Sequence, residues 1–204
     1  MTAEPEKPFP EHLRMPPTPQ LETPRLILRP QSERDIPAVQ AGFEQWNVVR
    51  YLHAHVPWPY PADGAATHWR ATAAREMAEG RKSHWVLTLK RGDGEAIGAI
   101  TLWADDGESR DMRGFWLDPK YWGRGLMTEA ANRVTQYAFE DLRWPHLWLN
   151  NAEVNVGSHR IKEKQGAEIV ERVPRAYVSG PGVAVIWKLT RENWLARRTR
   201  QPGR

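Results

Sequence analysis

The chemistry of this sequence is concentrated in the run Asp118-Pro119-Lys120-Tyr121-Trp122-Gly123-Arg124-Gly125-Leu126-Met127-Thr128. It follows a strand-like stretch at Met112 to Leu117 and opens a helical pattern, so the order is strand, glycine-bearing loop, helix start. That order gathers unpaired backbone N–H groups and the positive end of a helix dipole at a point where glycines permit close approach, which suits a phosphate or pyrophosphate. A Walker loop is excluded because no Lys-Ser or Lys-Thr follows the glycines. A dinucleotide fingerprint is excluded as well, since Thr128 occupies the third glycine position and no acidic residue ends the next strand. Coenzyme A is the nucleotide chemistry that remains, set against a plain βα turn whose glycines serve packing alone.

Other residue types close off other chemistries. Cysteine is absent, which removes disulfides, zinc ribbons, thiol catalysis and iron–sulfur ligation together. His53 and His55 have strand spacing but lack a third ligand, and Pro57 and Pro59 argue for a loop there, so no metal is expected. Among the 11 tryptophans, Trp69, Trp85 and Trp103 fall at periodic apolar positions and read as core, whereas Trp58 sits in a proline-rich loop.

The elements that must position the glycine loop read as one α/β domain. Arg25 to Arg29 forms a strand, and Ser32 with Asp35 opens a helix through Ala38, Val39 and Phe43. Residues 50–62 contain three prolines and form an ordered aromatic loop. A helix follows from Asp63, with Ala66, Trp69, Ala73 and Met77 at helical spacing, and ends at Gly80. Trp85 to Lys90 and Ala96 to Trp103 form a hairpin around Arg91-Gly92-Asp93-Gly94. After the strand at Met112 to Leu117 come a helix from Gly125 to Leu142, a strand at His146 to Ala152, and a short helix from Ser158 to Gln165. Strands at Glu168 to Val173 and Val183 to Leu189 finish the domain, giving a sheet of mixed direction.

Both ends read differently. Six prolines before residue 20 predict an extended, flexible leader over residues 1–20. The formal charge of +4 lies wholly in the last fourteen residues, where five arginines face Glu192. Residues 191–204 therefore read as a solvated basic tail, and nucleic acid is disfavoured as a partner. The longest mainly apolar stretch, Ala96 to Ala104, falls far short of the roughly 18 residues of a bilayer span, so no membrane partner is expected. Glu and Pro within Met1 to Pro10 do not suit a signal peptide, and the lack of cysteine fits the cytoplasm.

At the glycine loop the sequence resembles the GNAT acetyltransferase superfamily, whose Q/R-x-x-G-x-G/A motif binds the pyrophosphate of acetyl-CoA. It is more similar to the RimJ/RimL type of ribosomal-protein-alanine N-acetyltransferase. Gly114-Phe115-Trp116-Leu117-Asp118-Pro119, Tyr121-Trp122-Gly123-Arg124-Gly125 and Thr128-Glu129-Ala130 match that type. So do Thr23 to Pro30, as its first strand, and the spaced set Asn155, Ser158, Arg160, Glu163, Lys164 and Gly166. Trp122 and Met127 depart from the general motif in the manner of this branch. Met112-Arg113 stands where an acidic residue often occurs, so no base carries over; Glu153 is one candidate, and a water chain, which would leave no trace in the sequence, is the alternative. Ala167 replaces the usual Phe.

The resemblance implies a GNAT-like mixed, mostly antiparallel sheet flanked by helices in a single domain over residues 21–190. It implies acetyl-CoA as co-substrate, no metal, and direct transfer of acetyl to a primary amine in a ternary complex, foremost a protein N-terminal α-amino group. The backbone of Phe115, Trp116 and Leu117 would then bind pantetheine and the thioester oxygen. Trp122, Gly123, Arg124, Gly125, Leu126, Met127 and Thr128 would hold the pyrophosphate. Asn155 would hold the pantetheine arm, and Ser158 would protonate the sulfur, against the alternative that Ser158 only caps its helix. Tyr51 and Trp58 would line the acceptor side. Acetylation of a small amine, a non-catalytic acyl-CoA-binding module and an RNA-associated binder using the arginines remain as alternatives, and a homodimer stays open.

Overall fold

The computed structural model describes residues 9–200. The expectations for residues 1–8 and 201–204 lie outside the described residues. Aliphatic and β-branched runs build a five-stranded antiparallel sheet in the order β1 (Leu21–Glu22), β2 (Leu26–Pro30), β3 (Lys82–Leu89), β4 (Gly98–Trp103) and β5 (Arg113–Leu117). A second, three-stranded sheet has β8 (Gly180–Thr190) between β6 (His146–Ala152) and β7 (Glu168–Tyr177), again with antiparallel pairing. Strand β3 is central and buried from Ser83 to Thr88, with the Trp85 ring fully enclosed. Trp69 and Trp103 are only half-buried.

The helices cover both faces of the larger sheet. The Ser32 N–H donates to Asp35 Oδ2 (2.9 Å), turning the chain into α1 (Ile36–Phe43) as the sequence predicts. The short α2 (Trp46–Val49) follows, then α3 (Gly64–His68), a π turn (Trp69–Ala73) and α4 (Ala74–Ala78). Helix α5 (Leu126–Gln136) carries the inward stripe Leu126, Met127, Ala130, Ala131 and Val134, and α6 is Val156–Gln165. Because strand side chains alternate, Trp116 points to α1, where its ring lies against Gly42 and meets Phe43 edge-on at 5.8 Å. Phe115 and Leu117 pack on the opposite side, in the core shared with α5.

Two expectations about the ends are corrected. The leader is not free over its described part: Met15 is buried, its N–H donates to the Gly80 carbonyl (2.7 Å), and Trp85 Nε1 donates to the Pro19 carbonyl (2.6 Å). The basic segment is not a solvated tail either. It forms helix α7 (Arg191–Arg200), and Trp194 is 4% exposed, in edge contact with Phe139 at 5.5 Å. Burial of one large ring outweighs the solvation of Arg197 and Arg198, which stay exposed, and Arg198 pairs with Glu140 at 2.7 Å.

Candidate active site

The site is built where the two sheets part. The Met112 N–H donates to the Trp148 carbonyl (2.8 Å), and beyond this bond β5 and β6 belong to different sheets, each as an outer strand. Strand β5 ends at Leu117 and leads through Asp118, which caps the turn Pro119–Tyr121, into the glycine loop. The Trp122 indole donates to the Leu117 carbonyl (2.7 Å) and so fastens the loop to the strand end, while Trp122 remains 45% exposed. Gly123 (φ 75°) and Gly125 (φ 74°) are both left-handed, a conformation that costs glycine nothing. A Cβ at Gly123 would meet nothing within 4 Å.

Gly125 occupies the N-cap of α5 and offers no side chain, so the first N–H groups of that helix have no intrahelical or side-chain acceptor. This exposed, uncapped positive helix end fits a pyrophosphate. Leu126 and Met127 turn their side chains into the core and contribute backbone only, whereas Thr128 is half-buried and Arg124 exposed. Glu129 anchors the arrangement from behind: it accepts from Thr23 Oγ1 (2.6 Å), the Arg25 N–H (2.9 Å) and Arg25 Nε (2.6 Å). Burial alone would raise its pKa, but these hydrogen bonds outweigh it and lower the value. A cleft of about 580 Å³ adjoins the loop, with Arg25, Lys90, Arg91 and Arg124 on its rim.

On α6 the structure corrects a detail. The N-cap is Asn155, not Ser158: Asn155 Oδ1 accepts the Ser158 N–H at 3.1 Å. Its Nδ2 makes no hydrogen bond among the described residues. Ser158 is buried one turn in, and its Oγ accepts from Lys162 Nζ at 2.7 Å. Glu153 is exposed and paired with Arg172 at 2.9 Å, away from this buried group.

Three charged residues to which the sequence alone assigned no function, Lys162 in contact with Ser158 and Arg113 and Asp111 acting on Lys162, complete this neighbourhood. Arg113 is buried and clasps both helices, donating to Thr135 of α5 (2.6 Å) and to Gln165 of α6 (2.8 Å). Burial lowers its pKa to about 10; burial, together with the Arg113 charge and against that of Asp111, brings Lys162 down to about 7. Asp111 is partly at the surface, yet its Oδ1 is buried with no hydrogen-bond partner among the described residues, and burial raises its pKa to about 6. The signal for Lys162 was legible: Ser158, Ile161, Lys162 and Gln165 recur at helical spacing, and all four are buried.

The aromatic loop lies on the α1 side of β5. Tyr51 packs against the small cluster of Ala152, Tyr177, Ala184 and Ile186, and the loop is pinned to the β7–β8 turn by bonds such as Val178 N–H to the Leu52 carbonyl (3.0 Å). Trp58 is 41% exposed and its ring lies 5.2 Å from that of Trp46. His53 and His55 stack at 5.5 Å, and no group of three or more His, Asp or Glu able to hold a metal occurs among the described residues. No helix among them is long and apolar enough to cross a membrane.

Comparison with known proteins agrees with this geometry. The acetyltransferase (GNAT) domain family matches residues 25–168. The FsC-acetyl coenzyme A-N(2)-transacetylase of Aspergillus fumigatus is 33% identical over 90 residues, spanning 42% of this chain and 38% of that protein. In fold the chain is similar to RimL, a ribosomal alpha-N-protein acetyltransferase in complex with coenzyme A (TM-score 0.70, 13% identity, covering 84% of this chain and 98% of that one). It is equally similar to the spermidine N-acetyltransferase of Vibrio cholerae in complex with CoA and spermine (TM-score 0.69, 16% identity, 85% and 99% covered). With a glycine loop at an uncapped helix end, two parted sheet edges and a family match over most of its length, the chain belongs to the GNAT acetyltransferases, the acetyl-CoA-dependent N-acetyltransferase family.

Proposed function

We propose that this protein transfers acetyl from acetyl-CoA directly to the α-amino group of a protein N-terminus. Bound along β5, acetyl-CoA supplies a thioester carbonyl. The chain's own contributions follow from position. Backbone N–H groups from Gly123 to Thr128 bind the pyrophosphate, with Trp122 fixing the loop. The outer edge of β5 at Phe115 to Leu117 offers backbone partners to the pantetheine and the thioester oxygen, and Asn155 Nδ2 offers another. Ser158 gives its hydroxyl proton to the sulfur as the carbon–sulfur bond breaks.

The observation that carries the choice of acceptor is the charge on the α1 side of β5. Arg50 lies 4.5 Å from the Tyr51 ring centre, and Arg175 lies 3.4 Å from His53 Nε2. Like charge at that wall disfavours a polyamine, which carries several ammonium groups, more than a polypeptide N-terminus, which carries one. The exposed Trp58 and Trp46 rings then offer an apolar surface to the first side chains of the peptide. The RimL neighbour acts on a protein N-terminus and the Vibrio enzyme on spermidine, so both acceptor classes occur on this fold.

The test is thiol release from acetyl-CoA with three acceptors: peptides with free N-termini, the same peptides blocked at the N-terminus but carrying lysine, and spermidine. Free N-termini are expected to give a kcat/KM at least about tenfold above the other two. Preferential use of spermidine would transfer the assignment to small amines.

A further inference from the structure

Lys162 is 2% exposed, and its hydrogen bond to Ser158 Oγ is the one it makes among the described residues. Its ammonium also sits 5.6 Å from the centre of the Phe115 ring, on the strand that carries the open edge. Burying an ammonium with a single hydrogen bond and Arg113 nearby is costly, and an aliphatic residue would complete the stripe of α6 at lower cost. An expensive group in direct contact with a candidate acid points to function.

The direction of the bond matters. Because Ser158 Oγ accepts from Lys162, its own hydrogen is not committed to that bond, and no acceptor for it is found among the described residues, which leaves it for a ligand. We propose that Lys162 is a positioning residue that orients Ser158 as proton donor to the leaving sulfur and restores its proton afterwards. The inference rests on the acetyl-transfer reading of Ser158. As the carbon–sulfur bond breaks, the Ser158 hydrogen passes to sulfur, and a Lys162 proton passes along the 2.7 Å bond to the serine oxygen. The acceptor nitrogen sheds one proton to solvent on forming the amide, and solvent returns one to Lys162, so the count closes.

The groups facing Lys162 set its titration. Arg113 at the start of β5 lowers its pKa and Asp111 just before β5 raises it, with burial the largest influence and the value held near 7. His159 on α6 feels Lys162, while Arg175 and Tyr177 of β7 face Asp111. From α5, the uncharged Asn132 and Thr135 meet the stripe through hydrogen bonds with Gln165 at 3.0 Å each, and no charged group of α5 pairs with it among the described residues. The ammonium is the competent form, so its contribution is present at low pH and is lost as pH rises through about 7. The acceptor behaves oppositely, since an α-amine becomes neutral above roughly 7.7–8.0.

The experiment measures kcat, KM and pH profile for the parent, Lys162→Met, Lys162→Gln, Ser158→Ala and the Lys162→Met/Ser158→Ala double variant, with acetyl-CoA affinity by calorimetry. Lys162→Met is expected to lower kcat at least about tenfold at unchanged acetyl-CoA affinity, to abolish the alkaline fall, and to cost nothing further in the Ser158→Ala background. Lys162→Gln keeps a hydrogen-bond donor without charge, and is expected to lose the alkaline fall as well; it replaces the Met variant if that one does not fold. Side-chain NMR of Lys162 gives a reading independent of turnover: a midpoint near 7 that moves down in Ser158→Ala, where the ammonium loses its acceptor. A parental kcat and profile in both lysine variants, additive losses in the double variant, or an unmoved NMR midpoint would each overturn the role of Lys162. A parent that releases no thiol with any amine would overturn the acetyl-transfer reading itself.

Discussion

Replacing Gly125 by valine separates the cost to the fold from the cost to the co-substrate. At φ 74° an L-residue loses about 1–2 kcal/mol, somewhat more when β-branched, because Cβ crowds the backbone. Packing adds little, since a Cβ there would meet only Arg25 Nη2 at 3.6 Å. In a protein of this size 1 kcal/mol moves the melting temperature by roughly 2–4 °C, so the variant should melt about 2–8 °C lower and remain folded. Acetyl-CoA at one hundred times its Kd should stabilise the parent by about 2.7 kcal/mol, a rise of roughly 5–10 °C. The valine branches stand in front of the uncapped N–H groups of α5, so this rise should vanish in Gly125→Val. Gly125→Ala carries similar backbone strain with far less bulk and should keep part of it. Differential scanning fluorimetry with and without acetyl-CoA is the assay. An undiminished ligand shift in Gly125→Val would refute the assignment of the pyrophosphate to this loop.

Further outcomes follow from other parts of the molecule. Trp58→Ala should raise the acceptor KM several-fold while leaving acetyl-CoA affinity and melting temperature nearly unchanged; equal loss of both affinities would place the ring in the core instead. Trp194→Ala should cost about 3–5 kcal/mol in urea unfolding, whereas a change below about 0.5 kcal/mol would return the segment to the status of a solvated tail. Glu76 is the clearest acid-sensitive group: burial raises its pKa, but hydrogen bonds from His84 and Lys82 outweigh that and bring it to about 2. Its stabilisation is therefore present at neutral pH and lost as pH falls from about 4.5 toward 2, and Glu76→Gln should flatten the melting curve over that window.

The parts of the fold legible beforehand were those decided by local chemistry. The strand at His146–Ala152 and the hairpin around Gly92 to Gly94 follow from aliphatic runs and turn residues, and the glycine loop follows from a strand meeting a helix. The start of α6 was less legible because Asn155 and Ser158 are both good caps, and only tertiary packing decides that Ser158 turns inward. Arg113 and Trp194 escaped for the same physical reason. An arginine at a buried strand position and a tryptophan among arginines are judged by composition as surface, yet each is placed by partners far away in sequence, Gln165 for the first and Phe139 for the second. The Asp111–Lys162 neighbourhood likewise depends on contacts that no single stretch of chain contains.

The parting of the two sheets also bears on colloidal behaviour. Any exposed strand edge is a template on which another molecule can add a strand, and a fold that opens its sheet to admit a co-substrate creates two of them. Here the open edges of β5 and β6 are joined at Met112 and Trp148 and diverge from there, so a flat strand from a second chain cannot pair with both along its length. The remaining edges are guarded by other means. Strand β1 is two residues long, and β7 surrounds its exposed Ile169 and Val170 with Glu168, Glu171 and Arg172. Neutralising those three charges should therefore produce concentration-dependent aggregation through β7 while leaving the catalytic cleft intact.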